Sequence, residues 1–323
     1  MFFNRVRLIG LFFRLKKEVL ICIIKKMNIL TPIILSMPTY LLFFIALICY
    51  SLNAQTTRFF VSAHQDDWQL FMNPNVYESI KSAEDTTVII HTTAGEAGAG
   101  MGNDAYYKAR EEGSLAAVRF LSNTYGSGKN LGAEMERSTE ILNGHSVIRY
   151  VYRNVILYLL RLPDGSGQGH GYTLHDCKSL EKLFYEEIHQ LKTIDGTTVY
   201  ADKDDLIDTL KELVKKEQKE NRIEFHLADT DRVLNPNDHS DHQTSSLLFQ
   251  EVAHDFGKNT LFLYVNYHTA KLPINCTKKN TVISAATWGV TTAEIADHRH
   301  YSTWDDIHNA WIGRQYYRTK IIP

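Results

Sequence analysis

Residues 55–323 of this 323-residue chain predict an α/β fold in which a mainly parallel sheet is covered by helices on both faces. Three observations lead there. Short runs rich in β-branched and aromatic residues alternate with longer amphipathic ones, ionisable residues gather just after the apolar runs, and no repeat or low-complexity linker interrupts the pattern. One domain of about 270 residues is the economical division.

The elements follow in order. TRFFVSA (57–63) reads as a strand, DDWQLFMNPNVYESIKSAE (66–84) as an amphipathic segment, and TTVIIHTTAG (86–95) as a second strand. AYYKAREEGSLAAVRFLSN (105–123) spaces Tyr107, Leu115, Val118 and Leu121 as a helix does. SVIRYVYRNVILYLLRL (146–162) is rich in strand formers and runs into the glycine-rich loop PDGSGQGHGY. Helical patterns return at LEKLFYEEIHQLK (180–192) and DDLIDTLKELVKKEQKEN (204–221), then RIEFHLAD (222–229) reads as a strand. A polar loop, TDRVLNPNDHSDH, leads to a helix through TSSLLFQEVAHDF and a strand at NTLFLYVNY. The tail from Thr291, with Trp304, Trp311 and Tyr316, is expected to form a helix packed on the body.

Residues 1–54 differ in kind. Met1 to Lys26 is basic and apolar, and Met27 to Gln55 carries no charge. Such a segment is a secretory signal or an N-terminal membrane anchor. Lys25 and Lys26 supply the positive flank, and SLNA ending at Ala54 offers a small residue for cleavage, although Leu52 stands where a second one is preferred. The uncharged stretch is also long enough to cross a bilayer, which takes roughly 20 apolar residues. Cleavage is the preferred reading, giving a secreted or periplasmic body. Uncleaved, the segment would anchor that body to a membrane, facing outside the cytoplasm, and be its only membrane contact.

The segment takes with it seven of the 35 Lys and Arg and one of the 37 Asp and Glu, leaving 28 against 36, formally −8. An acidic exported body argues against nucleic acid as a partner. Cys177 and Cys276 remain outside the segment, neither in a CxxC pair, so a thiolate zinc site is not expected. A disulfide between them is compatible with export, and the spacing does not decide it.

Two short stretches carry the chemistry. HQDD (64–67) follows the first strand, and HSDH (239–242) follows the loop after RIEFHL. In an open parallel sheet, ligands bind beyond the carboxyl ends of the strands, so both stretches project into one region if their strands are near each other. Each places two ligand types three residues apart, His64 with Asp67 and His239 with His242. Three N and O ligands with one open position is the pattern of a catalytic zinc, whose water has its pKa lowered to about 7. Asp66, beside a ligand yet free of the metal, is then a candidate base, and Asp241 a candidate to hold a histidine by its second ring nitrogen. Taken singly, either stretch is more economically a helix N-cap or a surface histidine. Their conjunction, each after a strand and before a helix, favours the metal site.

AHQDD resembles the AHPDD(E) signature, and HSDH the HxDH signature, of the PIG-L/LmbE-like zinc deacetylases. The resemblance extends through TTAGEAG (92–98), AREEGSLAA (109–117) and LPDG (162–165), and covers Phe59 to His268 with the motifs in the family's order. It implies a Rossmann-like, three-layer αβα fold and removal of an acetyl group from N-acetylglucosamine-type substrates. Carried over by motif, His64, Asp67 and His242 bind zinc, Asp66 is the base, and His239 is the acid or oxyanion partner, assisted by Asp241. Arg110 and Asp164 match positions that face substrate. Gln65 stands for the usual proline, which is expected to loosen the turn, and Trp68 stands for the usual glutamate, where it either stacks on a sugar ring or packs into the core.

The expectation is an exported zinc-dependent deacetylase of an amino sugar or its glycoconjugate, with another divalent transition metal able to occupy the same ligands. The alternatives are a catalytically inactive carbohydrate-binding relative with Trp68 as its platform, and a metal-dependent glycosyltransferase using Asp229 and Asp231. His226 and Asp229 are candidate supports behind the ligands. His298, His300 and His308 match no ligand motif.

Overall fold

The computed structural model describes residues 55–323 except 83, 103, 126–133 and 219–221. The expected signal or anchor in residues 1–54 lies outside the described residues. Among them no helix is long and apolar enough to cross a membrane.

The described residues form ten strands: β1 (Thr56–Ser62), β2 (Thr86–Thr93), β3 (Glu136–Leu142), β4 (His145–Tyr152), β5 (Val155–Leu162), β6 (Leu191–Lys192), β7 (Val199–Tyr200), β8 (Arg222–Ala228), β9 (Asn259–Tyr264) and β10 (Tyr317–Ile322). All but the small β6-β7 pair form one sheet in the order β10-β9-β8-β1-β2-β5-β4-β3. Strands β9, β8, β1, β2 and β5 run parallel, and antiparallel strands close both edges. The helices are α1 (Asp67–Leu70), α2 (Asn75–Lys81), α3 (Tyr106–Tyr125), α4 (Leu180–Phe184), α5 (Lys203–Glu217), α6 (Ser240–Ala253), α7 (Lys278–Asp297) and α8 (Asp306–Asn309).

The two-residue period of the strands sorts their side chains into two cores. Phe59, Val61, Val88, Ile90 and Phe225 pack under α5 and α6, whereas Phe60, Ile89, Leu157 and Leu159 pack under α2, α3 and α7. This is the three-layer arrangement that the alternating pattern predicts.

Three elements depart from the expectation. The segment after β1 is two helices, because Pro74 follows α1 and lacks the N–H that would continue it. LEKLFYEEIHQLK is helical only over Leu180–Phe184. The tail is helical to Asp297 and then returns as β10, antiparallel to β9. β3 and β10 are edge strands with one buried position each, β10 exposed at all the others and β3 at most of them, so no apolar alternation marks them in the sequence.

His226 on β8 lies between the rings of Phe60 and Phe262 and shares a 2.7 Å hydrogen bond with the Tyr264 hydroxyl. Burial, against the pull of Glu224, pushes its pKa down to about 4. As pH falls below 6.5 the unfolded chain takes up this proton first, so stability present above pH 6.5 is lost on the way down to about pH 4. The loss is on the order of 2 kcal/mol by pH 5. A His226→Phe protein is expected to show a shallower fall in Tm between pH 7 and 5 than the wild type. An unchanged slope would remove His226 as a source of acid lability.

Candidate metal centre

β1 pairs with β2 on one side and with β8 on the other, Phe60 standing opposite His226. Chain progression therefore reverses between β1 and β8, and the crevice at such a reversal is where parallel sheets bind ligands. HQDD leaves β1 and HSDH follows β8, so the two motifs meet there.

Each motif is shaped locally by its own side chains. Asp67 begins α1, and its Oδ2 accepts the backbone N–H of His64 at 2.8 Å, turning both residues inward. Gln65, standing where a proline was the usual residue, is tied to its surroundings by hydrogen bonds. Its side-chain nitrogen donates to the Ala94 carbonyl at 2.8 Å, and its own carbonyl accepts from Gln69 at 3.0 Å. At the other motif His239 Nδ1 caps α6 by accepting the Asp241 N–H at 3.1 Å. Asp241 and His242 then occupy the first helical turn.

His64, Asp67 and His242 come together. His64 Nδ1 is 3.2 Å from His242 Nε2, His242 Nε2 is 3.0 Å from Asp67 Oδ1, and His64 Nδ1 is 3.8 Å from Asp67 Oδ1. Bonds of the length zinc makes to such donors, set tetrahedrally, separate the donors by about 3.3 Å.

Proton accounting tests the fit. His64 Nε2 is 3.2 Å from Asp241 Oδ2, and His242 Nδ1 is 2.8 Å from Asp238 Oδ1. A carboxylate only accepts, so both of those ring nitrogens donate. Neutral rings then turn the lone pairs of His64 Nδ1 and His242 Nε2 toward each other, with the Asp67 carboxylate beside them. Three acceptors that converge with no donor among them fit a cation. Titration points the same way. Burial disfavours charge on His64, but its bond with Asp241 and the Asp67 and Asp164 charges outweigh this and raise its pKa. Burial is likewise outweighed at His242, by Asp67 and Asp238, and its pKa stands well above the ordinary value. Burial acts to raise Asp67, yet the two imidazoles hold it well below the carboxylate range. The centre favours positive charge.

Asp66, Arg110, Asp164 and His239 line a cleft of about 230 Å³ that opens on this cluster. Asp66 and Arg110 form a buried ion pair there, and Arg110 also donates to the Gly95 carbonyl at 2.6 Å. Gly95 has φ +55°, and a Cβ on it would lie 2.6 Å from the guanidinium, so both the turn and the close approach require glycine. Asp164 accepts the Ser166 N–H at 2.8 Å and the Ala97 N–H at 3.2 Å. Its carboxylate stands 3.8 Å from His239 Nε2. Burial, with the His64 and His242 charges, pushes the His239 pKa down to about 4 against Asp241 and Asp164. His239 is therefore neutral at pH 7, and because Nδ1 accepts from the backbone, Nε2 carries the proton. Asp241, fully buried, accepts the Gly165 N–H at 3.0 Å as well as facing His64.

Trp68 is the correction among the predicted substrate residues. It is 0% exposed, belongs to the core beneath α3, and donates its indole N–H to Ser114 at 3.0 Å. A side chain sealed in this way has no face for a sugar. His226 and Asp229 also lie away from the ligands, His226 in the aromatic stack and Asp229 bound to Arg318 at 2.7 Å. Arg318 lies 3.8 Å from Asp231 too, which leaves the acidic pair of the glycosyltransferase alternative tied to an edge strand. His298 faces Glu294, and His300 meets the Asp104 carbonyl at 2.8 Å, so the tail histidines do not form a second cluster. Cys177 and Cys276 are both free.

Sequence reasoning missed Asp238. Its side chain is fully buried and receives His242 Nδ1 at 2.8 Å, Asn235 at 2.8 Å and Asn266 at 3.2 Å. An acidic residue four positions before a candidate ligand histidine was the available signal. Such a partner fixes the ring and raises its basicity, so Asp238→Ala is expected to weaken metal affinity about 10- to 100-fold. Competition with a metal-binding dye would measure this, and an unchanged affinity would show that Asp238 only fills space.

No known family matches the chain by sequence, and no curated protein does. Among solved structures, the N,N'-diacetylchitobiose deacetylase from Pyrococcus horikoshii, in complex with an inhibitor, is similar at 14% identity and a TM-score of 0.41. The match covers 79% of this chain and 72% of that one. A likeness of that degree assigns neither a function nor a site to this chain.

Proposed function

We propose that this protein is a metal-dependent hydrolase of the PIG-L/LmbE-like kind, exported from the cytoplasm, that removes an N-acetyl group from an amino sugar or a glycoconjugate bearing one. The observation that carries the reading is the convergence of His64 Nδ1, His242 Nε2 and Asp67 Oδ1, with Asp66 and His239 lining the same cleft. Zinc suits two imidazoles, one carboxylate and an open position, and when bound it supplies Lewis acidity to the amide carbonyl and to water.

The chain's own groups do the rest. Asp66, held in place by Arg110, takes the proton of the attacking water and returns it to the departing nitrogen. The water oxygen joins the amide carbon, the C–N bond breaks, and acetate and the free amine leave. His239 donates from Nε2 to the carbonyl oxygen as negative charge develops, a role its neutral tautomer suits better than that of general acid. Asp241 keeps His64 oriented through its far nitrogen. Arg110 and Asp164 line the cleft where the sugar body enters.

Metal content and acetate release, measured together on N-acetylglucosamine and its short oligomers, test this. The expected result is one metal ion per chain and release that a chelator abolishes. Sugar binding without acetate at any pH would favour the binding-protein alternative, and a chain that binds no divalent metal would overturn the reading.

A further inference from the structure

The C-terminal segment reaches the cleft. His308 on α8 and Trp311 just after it line the same cavity as His64, Asp66 and Arg110, and both lie beyond His268, where the family resemblance ends. Their placement is firm. Trp311 stacks on Tyr267 with ring centroids 5.1 Å apart and 10° between planes, and its indole N–H donates to the Tyr267 carbonyl at 3.2 Å. Tyr267 in turn meets the ligand His242 edge-on at 5.2 Å. The wall and the metal cluster are thus one packed unit.

His308 is held on three sides. Its ring stacks at 5.3 Å on the fully buried Trp288 and meets Trp311 edge-on at 5.4 Å. Asp305 accepts its Nδ1–H at 2.8 Å while capping α8 through the N–H groups of Ile307 and His308 at 3.0 and 2.9 Å. Because a carboxylate only accepts, the tautomer this contact selects keeps its proton on Nδ1 and presents Nε2 as a lone pair. Among the described residues no protein hydrogen bond uses Nε2, on a side chain that is 23% exposed at the cleft.

We infer that His308 recognises a ring hydroxyl on the sugar body of the substrate, making the C-terminal segment a determinant of substrate specificity. The substrate class rests on the deacetylase reading above. A fixed acceptor beside an aromatic wall selects a group that donates a hydrogen bond and carries an apolar face, as a pyranose does. A carbonyl or an anion would face the Nε2 lone pair and be disfavoured.

Steady-state acetate release from N-acetylglucosamine and its disaccharide, by metal-loaded wild type, His308→Phe and His308→Gln, tests the inference. Phe keeps the stack on Trp288 and removes Nε2, whereas Gln keeps an acceptor. The expected result is a KM raised roughly two- to tenfold in the Phe protein, with kcat and metal content unchanged, and partial recovery in the Gln protein. An unchanged KM, or a fall in kcat at constant KM, would overturn it. If the wild type releases no acetate, the deacetylase reading fails on its own. Calorimetric titration with the same sugars then decides for His308: weaker binding by the Phe protein upholds the contact, while equal binding or none by the wild type overturns it.

Discussion

Asp66→Asn is expected to keep its full metal complement and to lose roughly 10²- to 10⁴-fold in kcat. Asp66 is not among the three converging donors, so removing its charge leaves His64, Asp67 and His242 in place. Asparagine preserves shape and can still accept from Arg110, which keeps the cleft assembled. It cannot take a proton from water or return one to the departing nitrogen, and those two transfers are what the proposed mechanism asks of the residue beyond its ion pair. Metal analysis and acetate release on one preparation check this. Turnover within tenfold of the wild type would remove Asp66 from the mechanism, and loss of metal would make it a ligand.

His242→Ala is expected to have the opposite signature in one respect: the metal goes as well as the activity. It also costs stability. His242 Nε2 faces Asp67 at 3.0 Å and Nδ1 faces Asp238 at 2.8 Å, both carboxylates nearly or fully buried. Deleting the imidazole takes the bridging partner from two buried carboxylates, leaving Asp67 with His64 and Asp238 with the amides of Asn235 and Asn266, and breaking a buried pair from one side costs about 3–5 kcal/mol. At the few degrees per kcal/mol typical of a domain this size, Tm falls on the order of 10 °C. Calorimetry with and without added zinc measures it. A wild-type Tm that responds to zinc beside a variant Tm that does not would tie the loss to the site, and an equal response in both would exclude His242 as a ligand.

Much of the fold was legible because its central strands are buried on both faces. FFVSA and TVII lie in apolar runs bounded by polar turns, RIEFHL alternates apolar with ionisable residues, and the helices that follow carry the apolar periodicity that covering a sheet requires. Edge strands carry no such signature. ERSTEIL pairs with β4 yet exposes most of its side chains, and YRTKII closes the opposite edge with only Ile322 buried. Local sequence marks burial, and these strands are stabilised by backbone hydrogen bonds to a neighbour that local sequence does not name.

The candidate site divides along the same line. HQDD and HSDH showed which donor types were available, and of the pairs three residues apart His64 and Asp67 converge with His242, whereas His239 caps α6. That the two motifs meet at all depends on β1 lying beside β8, a pairing across some 160 residues of chain. Asp238 carried no claim beside Asp241 in the sequence, and only the contacts with Asn235 and Asn266 place its carboxylate behind His242. Trp68 was undecided between solvent and core until α7 packed on α1 and α3, where Thr291 bonds both Gln69 and Gly113. His308 and Trp311 reached the cleft only because the tail folds back along Tyr267 and β9. Residue type and short spacing set which chemistry is available, since they act through bonds a few residues long. Which groups share a site is set by contacts between segments far apart in sequence, and those exist only once the sheet order and helix packing bring the segments together.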